Sequence, residues 1–330
     1  MYTFSDESGR FEESINSDIG IFVIVSLPDS ALAKFTEFLA KNFGDKTSEL
    51  KGSKLFFKDR ENIIKYIGKH PEIKFSAFVY DHKSTSATAI KDHHARQIKK
   101  ADESIEKLKP IAVYPTLVPS IELARNQLRK LSEAEYLKVI LYTIAFQAWQ
   151  KLFLFDFMYF PENRDSWEFH HVTDMQNQPF TFPSLVYFLL LGSQNQLSPE
   201  PPTTNYPKQW KSSHPFFKIY DAEEDGQNEG MLDMRKFYSD FKCADDKEEL
   251  GLKLPDIISN TLFRSITHPE DISLLRLLKK LWPNRSVVHR TGKQEKYYQV
   301  IIFPSEEVKP FASDLIQRHW QNLSKILPRG

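Results

Sequence analysis

Two hydrophobic periods alternate along the first 82 residues, and they predict the elements. The apolar segment Met1-Tyr2-Thr3-Phe4-Ser5 reads as a strand over 1–6 that stops on Asp6-Glu7-Ser8-Gly9, where a glycine lets the chain turn. Ile19 to Leu27 is a nearly continuous apolar run, the pattern of a central strand. Pro28-Asp29-Ser30 opens a helix with Asp29 or Ser30 as its cap, running to about Phe43 and ended by Gly44-Asp45. Glu49 to Leu55 is a short polar connection, Asp59 to Gly68 a second helix, and Ile73 to Tyr80 a third strand.

Beyond residue 82 the helical period dominates. Ser84 to Lys109 is polar and net basic, Pro110 to Pro119 is a break, and Ile121 to Leu131 and Glu133 to Phe160 are helices. Trp167 to Thr173 is a strand closed by Asp174, and Phe180 to Leu191 is helical again. Ser198 to His214 has the composition of a surface loop. Phe216 to Tyr220 is a strand, and Asp221 to Asp233 an acidic stretch containing glycine. Leu250 to Ile266 is a helix carrying Asp256, and 271–282 is helical. Residues 286–290 and 297–303 pair as a hairpin around Thr291-Gly292-Lys293-Gln294, and an amphipathic helix covers about 305–327. No internal repeat is visible. The expected architecture is α/β: a domain over 1–265 with a helical insertion at 84–160, then an extension over 266–330 with a hairpin and a helix.

Composition narrows the function classes. A chain of 330 residues that is 41% hydrophobic and 13% aromatic has material for a packed core, which excludes global disorder. Only 11 glycines argue against a Gly-rich nucleotide-binding fold. Lys plus Arg equal Asp plus Glu at 44 each, so any nucleic-acid surface must be local rather than a bulk-charge effect. The single cysteine, Cys243, excludes an internal disulfide framework and a Cys-based zinc site, and fits a reducing setting. No secretory signal opens the chain. The apolar stretch Leu137 to Phe160 is interrupted by Gln147, Gln150, Lys151 and Asp156, and Thr181 to Leu191 falls short of the roughly 20 apolar residues that span a bilayer. A cytoplasmic protein without a membrane segment is the expectation.

Four acidic residues stand in similar settings: Asp6 and Asp174 at strand ends, Glu49 in a short loop, and Asp256 in an apolar first helical turn. A carboxylate in an apolar run needs a reason, because burying an unpaired charge is expensive. Asp256 pairs with the helix dipole, worth under about 1 kcal/mol, or ligates a metal; a strand-end Asp starts a turn or does the same. Lys51 and Lys54, beside Glu49, contact a phosphate or are solvated loop lysines. His170-His171 on a strand point to opposite faces and read as core or surface histidines, and His93-His94 as exposed positions of a polar helix. Neither pair has the i, i+4 spacing of helical zinc ligands. From Arg276 to Lys296, seven cations (Arg276, Lys279, Lys280, Arg285, Arg290, Lys293 and Lys296) face a single acid, Glu295, with Trp282, Tyr297 and Tyr298 interleaved. That mixture suits a nucleic-acid backbone with stacked bases or a solvated hairpin. Asp221-Ala222-Glu223-Glu224-Asp225 is a solvated loop or a source of one more ligand.

Phe4-Ser5-Asp6-Glu7-Ser8-Gly9, then Glu49-Leu50-Lys51-Gly52-Ser53-Lys54, then Gly251-Leu252-Lys253-Leu254-Pro255-Asp256-Ile257-Ile258 together resemble the domain-of-unknown-function family 3800. The likeness spans roughly residues 1–265. It implies an RNase H-like mixed sheet and a carboxylate cluster of Asp6, Glu49 and Asp256 binding Mg²⁺ or Mn²⁺. A further carboxylate from a middle strand is implied, Asp174 or its rival Asp81. Lys51 joins the catalytic set, and Lys54, Arg290, Lys293 and Lys296 are candidates for nucleic-acid binding. The implied function is a metal-dependent nuclease, in phage-defence or mobile-element biology. The alternative is a non-catalytic adaptor or nucleic-acid-binding module that meets protein partners through the helical insertion. Two departures from the family pattern are Pro255, where alanine is more usual, and the long insertion between the third and fourth strands.

Overall fold

The structure is a computed structural model. It describes residues 1–9, 19–81, 87–110, 117–140, 142–143, 146, 170–174, 217–220, 229–232, 240–281, 287–290, 293–296 and 299–300. Two compact units divide the chain: Met1–Lys91 with His170–Gln178 and Lys242–Gly330, and Asp92–Phe169 with Pro179–Phe241. The described residues from 266 to 300 fall in the first unit, and those of 92–146, 217–220 and 229–232 in the second.

The first unit is α/β. Strands β1 (Tyr2–Gly9), β2 (Ile19–Leu27) and β3 (Lys74–Asp81) form an antiparallel meander, with Tyr2 opposite Leu27 and Gly9 opposite Gly20. β4 (His170–Asp174) lies parallel to β1 on its other side, with Tyr2 opposite His170 and Ser5 opposite Thr173. Numbering the later strands β5 (Phe217–Tyr220), β6 (Glu229–Leu232), β7 (Phe241–Ala244), β8 (Val287–Arg290), β9 (Lys293–Lys296) and β10 (Gln299–Val300), the mixed sheet has the order β10-β3-β2-β1-β4-β7. Every residue of β2 is buried, as its nearly continuous apolar run predicts for a strand covered on both faces.

Helices α1 (Asp29–Phe43) and α2 (Phe57–Lys69) connect β2 to β3. One apolar core joins Phe4, Val23, Val25, Ala77 and Val172 of the sheet to Phe35 and Leu39 of α1 and Ile63, Ile64 and Ile67 of α2. The same core takes in two later helices of this unit, α5 (Lys253–Thr267) and α6 (Ile272–Leu281), whose positions 257, 258, 262 and 266 keep the helical period.

The second unit holds α3 (Ala87–Leu108) from residue 92 onward and α4 (Leu117–Leu128). Asp102 ties to Arg125 and Arg129 at 2.9 Å each, and Ser132 with Glu135 forms a capping box before the helical residues 133–140. β5 and β6 pair as a separate hairpin.

Several boundaries move. β1 runs on to Gly9, so Asp6 lies inside a strand rather than at its end. α4 begins within the expected Pro break, with Pro119 in its first turn, where a missing N–H costs nothing. β6 lies inside the expected acidic stretch, and β7 was not expected at all. The hairpin pairs β8 with 293–296, not 297–303, because Arg290 sits opposite Lys293 and only Thr291-Gly292 separates the strands. Residues 299–300 join the main sheet beside β3 instead. The expected segments 147–160, 180–191, 198–214, 221–225 and 305–327 lie outside the described residues.

Candidate carboxylate site

Side chains alternate along a strand, so Phe4, Asp6 and Ser8 share one face of β1. α5 and the short turn before it run along that face. Phe4 fills the place where a Cβ on Gly251 would stand, at 2.1 Å, and the Ser8 and Ser259 hydroxyls hydrogen-bond at 2.8 Å. Asp256 is two turns ahead of Phe263, whose ring lies 2.9 Å from where a Gly9 Cβ would be. The first turn of α5 therefore brings Asp256 toward the middle of β1, where Asp6 is. On the other side, the β1–β4 register continued by one residue sets Asp174 opposite Asp6 on the same face.

The charges of Asp256 and Asp174 both bear on Asp6. Asp6 is 8% exposed, and burial pushes its carboxyl well above the usual range. Asp256, Glu7 and Asp174 push it further, against a hydrogen bond donated by the Glu7 amide at 2.7 Å. Asp256 is also raised, first by burial, although the Gly52 amide donates to it at 2.7 Å and Lys51 and Lys253 lie within electrostatic reach. Burial and the charge of Asp174 lift the Cys243 thiol to about 11, so this cysteine on β7 is a protonated neighbour of the cluster.

The Glu49-to-Lys54 segment divides in two. Gly52 approaches α5 so closely that a Cβ there would meet the Asp256 carbonyl oxygen at 2.6 Å and a carboxylate oxygen at 2.9 Å. Glycine is required at this point of the Lys-Gly pair by close approach. Lys51 reaches inward to form an ion pair with Asp246. Burial opposes the charge on Lys51, but Asp246, Asp174 and Asp256 outweigh it and raise its pKa. Glu49 and Lys54 are exposed. The charges raising Asp6 are Asp256, Glu7 and Asp174, and Glu49 stays outside that group.

Asp81 is the rival to Asp174. It pairs with Ile19 while Asp6 pairs with Val23, so its backbone is two strands and four residues away, about 16 Å by strand spacing and rise. Asp174 is the neighbour of Asp6. Arg290, Lys293 and Lys296 lie on β8 and β9, and their side chains, with Trp282, Tyr297 and Tyr298, are outside the described set. His171 is buried with its Nδ1 2.5 Å from the Thr3 hydroxyl, and His170 packs its ring on Tyr2. His93 and His94 are half-buried rather than exposed, since His93 bonds the Tyr136 hydroxyl at 2.6 Å and His94 stacks on its ring.

Three contributors went unforeseen. Asp246, 2% exposed, accepts from fully buried Lys253 at 3.1 Å as well as from Lys51. Its Oδ1 is buried without a hydrogen-bond partner among the described residues. Burial alone would raise Asp246, but the two lysines hold it below the ordinary carboxylate range. Lys253 also donates to the Ser48 carbonyl at 3.0 Å. Arg60, 1% exposed, donates to Thr261 at 3.0 Å, Asn260 at 3.0 Å and the Gly52 carbonyl at 2.5 Å, clamping α2, the glycine turn and α5. Burial, then the Arg264 charge, lowers the Arg60 guanidinium to about 10. Two of these left a signal: Lys253 is an ion in the same apolar turn as Asp256, and Arg60 precedes Ile63, Ile64 and Ile67 at core spacing. Asp246, inside the charged run Asp245-Asp246-Lys247-Glu248-Glu249, left none.

The donor set is oxygen-only, which suits a hard divalent cation. Among the described residues, no three His, Cys, Asp or Glu side chains stand close enough to hold one ion. Also among them, no helix is long and apolar enough to cross a membrane. Compared with protein families, curated proteins and solved structures, the chain finds no match.

Proposed function

We propose that this chain is a divalent-metal-dependent nuclease built on an RNase H-like sheet. The strand order β3-β2-β1-β4, antiparallel through the first three and parallel at the fourth, supports the fold part of that reading. The observation that carries the functional part is the placement of Asp6, Asp174 and Asp256 on one face by the β1–β4 register and the first turn of α5, where the charges of Asp256 and Asp174 add to burial in raising Asp6. Like charges on the adjacent strands β1 and β4 and on α5 raise a pKa at a cost in stability, and a cation relieves that cost. Asp6, Asp174 and Asp256 do not stand close enough to hold one ion as they are placed; drawn together, they are the residues that would hold Mg²⁺ or Mn²⁺. The ion would neutralise charge on the attacking and leaving oxygens of a phosphodiester. Lys51 is the cation beside the same carboxylates, suited to orienting a phosphate. DNA or RNA is the substrate class.

Calorimetric titration of Mn²⁺ into the wild type and Asp6→Asn, with hydrolysis of single-stranded DNA and RNA in parallel, tests the reading. Saturable binding and cleavage, both lost in Asp6→Asn, are expected. No Mn²⁺ binding at millimolar concentration would overturn it. A second reading is a non-catalytic nucleic-acid-binding or adaptor module, with the helical insertion over 84–160 as a surface for protein partners. It is favoured by the ion pair that already engages Lys51 with Asp246 and by the spread of the carboxylates. Oligonucleotide binding without Mn²⁺ binding or cleavage would select it.

A further inference from the structure

Large apolar side chains exposed beside a polar site need an explanation. Phe56 is 80% exposed and Phe57 45% exposed. They follow the Gly52–Lys54 turn after Leu55, Phe56 as the N-cap of α2 and Phe57 as its first residue. Exposed Lys54 and Lys58 flank them. Phe56 stands at the N-cap, where a residue with a side-chain acceptor is usual, and no side chain caps the helix.

The turn beneath the two rings is fixed. The Gly52 amide donates to Asp256, buried Arg60 holds the Gly52 carbonyl, and Arg264 donates to the Ser53 carbonyl at 2.5 Å. Leu55 between them is buried in the core. The turn that carries the two phenylalanines is thus anchored to Asp256 and α5, although neither ring contributes to the core. Phe56 is four steps along the chain from Gly52, a reach of at most about 14 Å, or roughly four base steps at the 3.4 Å spacing of a stacked strand.

We propose that Phe56 and Phe57, flanked by Lys54 and Lys58, form a stacking platform for unpaired bases of a single-stranded nucleic acid whose backbone leads to the carboxylate cluster. The proposal rests on the nuclease reading for the destination of the strand, but not for its binding. Aromatic faces take any base, and lysines on either side take the phosphates. Duplex bases, paired and stacked on one another, offer no face to the rings. The platform therefore selects single strands.

The test is fluorescence anisotropy of labelled oligothymidylate and oligouridylate with the full chain in EDTA, where nothing is cleaved and no metal is needed. Phe56→Ala is expected to weaken binding about 5- to 150-fold, the worth of one stacked base, with an unchanged salt slope. Phe56→Tyr should restore most of the affinity, which a merely structural role at an exposed position does not predict. Lys54→Ala with Lys58→Ala should lower the salt slope by about 1.4, at about 0.7 per phosphate contact on a single strand. Wild-type affinity in Phe56→Ala overturns the proposal, as does an equal loss on duplex DNA. A chain that binds no oligonucleotide, but needs Phe56 to self-associate in sedimentation, assigns the surface to a protein contact and also overturns it. Mn²⁺ binding is measured without oligonucleotide, so the platform and the metal reading fail separately.

Discussion

Asp6 and Asp246 are both buried carboxylates in one unit, and their environments drive them in opposite directions. Asp6 has acids around it, Asp256, Glu7 and Asp174, and is pushed up. Asp246 has Lys51 and Lys253 and is held down. Burial favours the neutral acid in both. What differs is the sign of the neighbouring charge, which decides whether a buried acid belongs to a satisfied pair or to a strained cluster. Asp256 stands between them, raised by burial yet within reach of both lysines. Lys51 links the two regions, paired with Asp246 and drawn by Asp174 and Asp256.

The comparison breaks most visibly if the satisfied pair is opened. Lys253→Met removes a fully buried ammonium and leaves Asp246 with Lys51 alone. A loss of about 1.5–3 kcal/mol in urea unfolding is expected, because Asp246 keeps Lys51 but loses its other charged hydrogen-bond donor. A loss under about 1 kcal/mol would mean that Asp246 is not held by Lys253, and the contrast with Asp6 would fall.

Gly52→Ala probes the junction from the backbone. The new Cβ meets Asp256 at 2.6 Å, and both neighbours are backbone or tightly held. A destabilisation of about 1–3 kcal/mol, as for overpacking, is expected, with Asp256 displaced. Unchanged stability together with unchanged Mn²⁺ affinity would show that the turn can retreat.

Asp6→Asn acts in the other direction. A carboxyl raised in the folded state binds its proton more tightly folded than unfolded. Stability therefore falls as pH rises from the unfolded pKa, about 3.9, through the folded pKa, and stays low above it. Asparagine removes that decline and keeps an acceptor for the Glu7 amide. The variant should melt above wild type at neutral pH, by roughly 2–4 °C for each 1 kcal/mol gained, and its pH profile should be flatter in that window. A melting temperature below wild type would contradict the strained-cluster picture. Glu49→Gln completes the series: at an exposed position the expected change is within about 0.5 kcal/mol. If Mn²⁺ affinity nonetheless falls with it, Glu49 belongs to the cluster after all.

The fold was legible where a pattern was strong. The apolar run over 19–27, the helices after Pro28 and around Ile63, and the helix carrying Asp256 follow from periodicity, because a buried face repeats at the period of its element. Boundaries were not legible where pairing sets them. β1 extends past Asp6 because β2 supplies partners as far as Gly20, and the hairpin register follows from a two-residue connection. In the same way, β7, of four residues, has no pattern of its own and exists because the sheet offers an edge.

The site divides along the same line. The sequence alone marked Asp6, Glu49, Asp174 and Asp256 as acids in similar apolar, loop or strand settings, with Lys51 beside Glu49, since composition against a local pattern is a one-dimensional signal. Tertiary structure decided the rest. It set Asp174 rather than Asp81 beside Asp6 through the parallel β1–β4 register, left Glu49 exposed while turning Lys51 inward, and brought Asp246 and Arg60 to bear on residues far from them in the chain. The physical reason is that a carboxylate's protonation, and so its chemistry, depends on which charges lie within a few ångströms of it, and that proximity is created only when strands pair and helices pack.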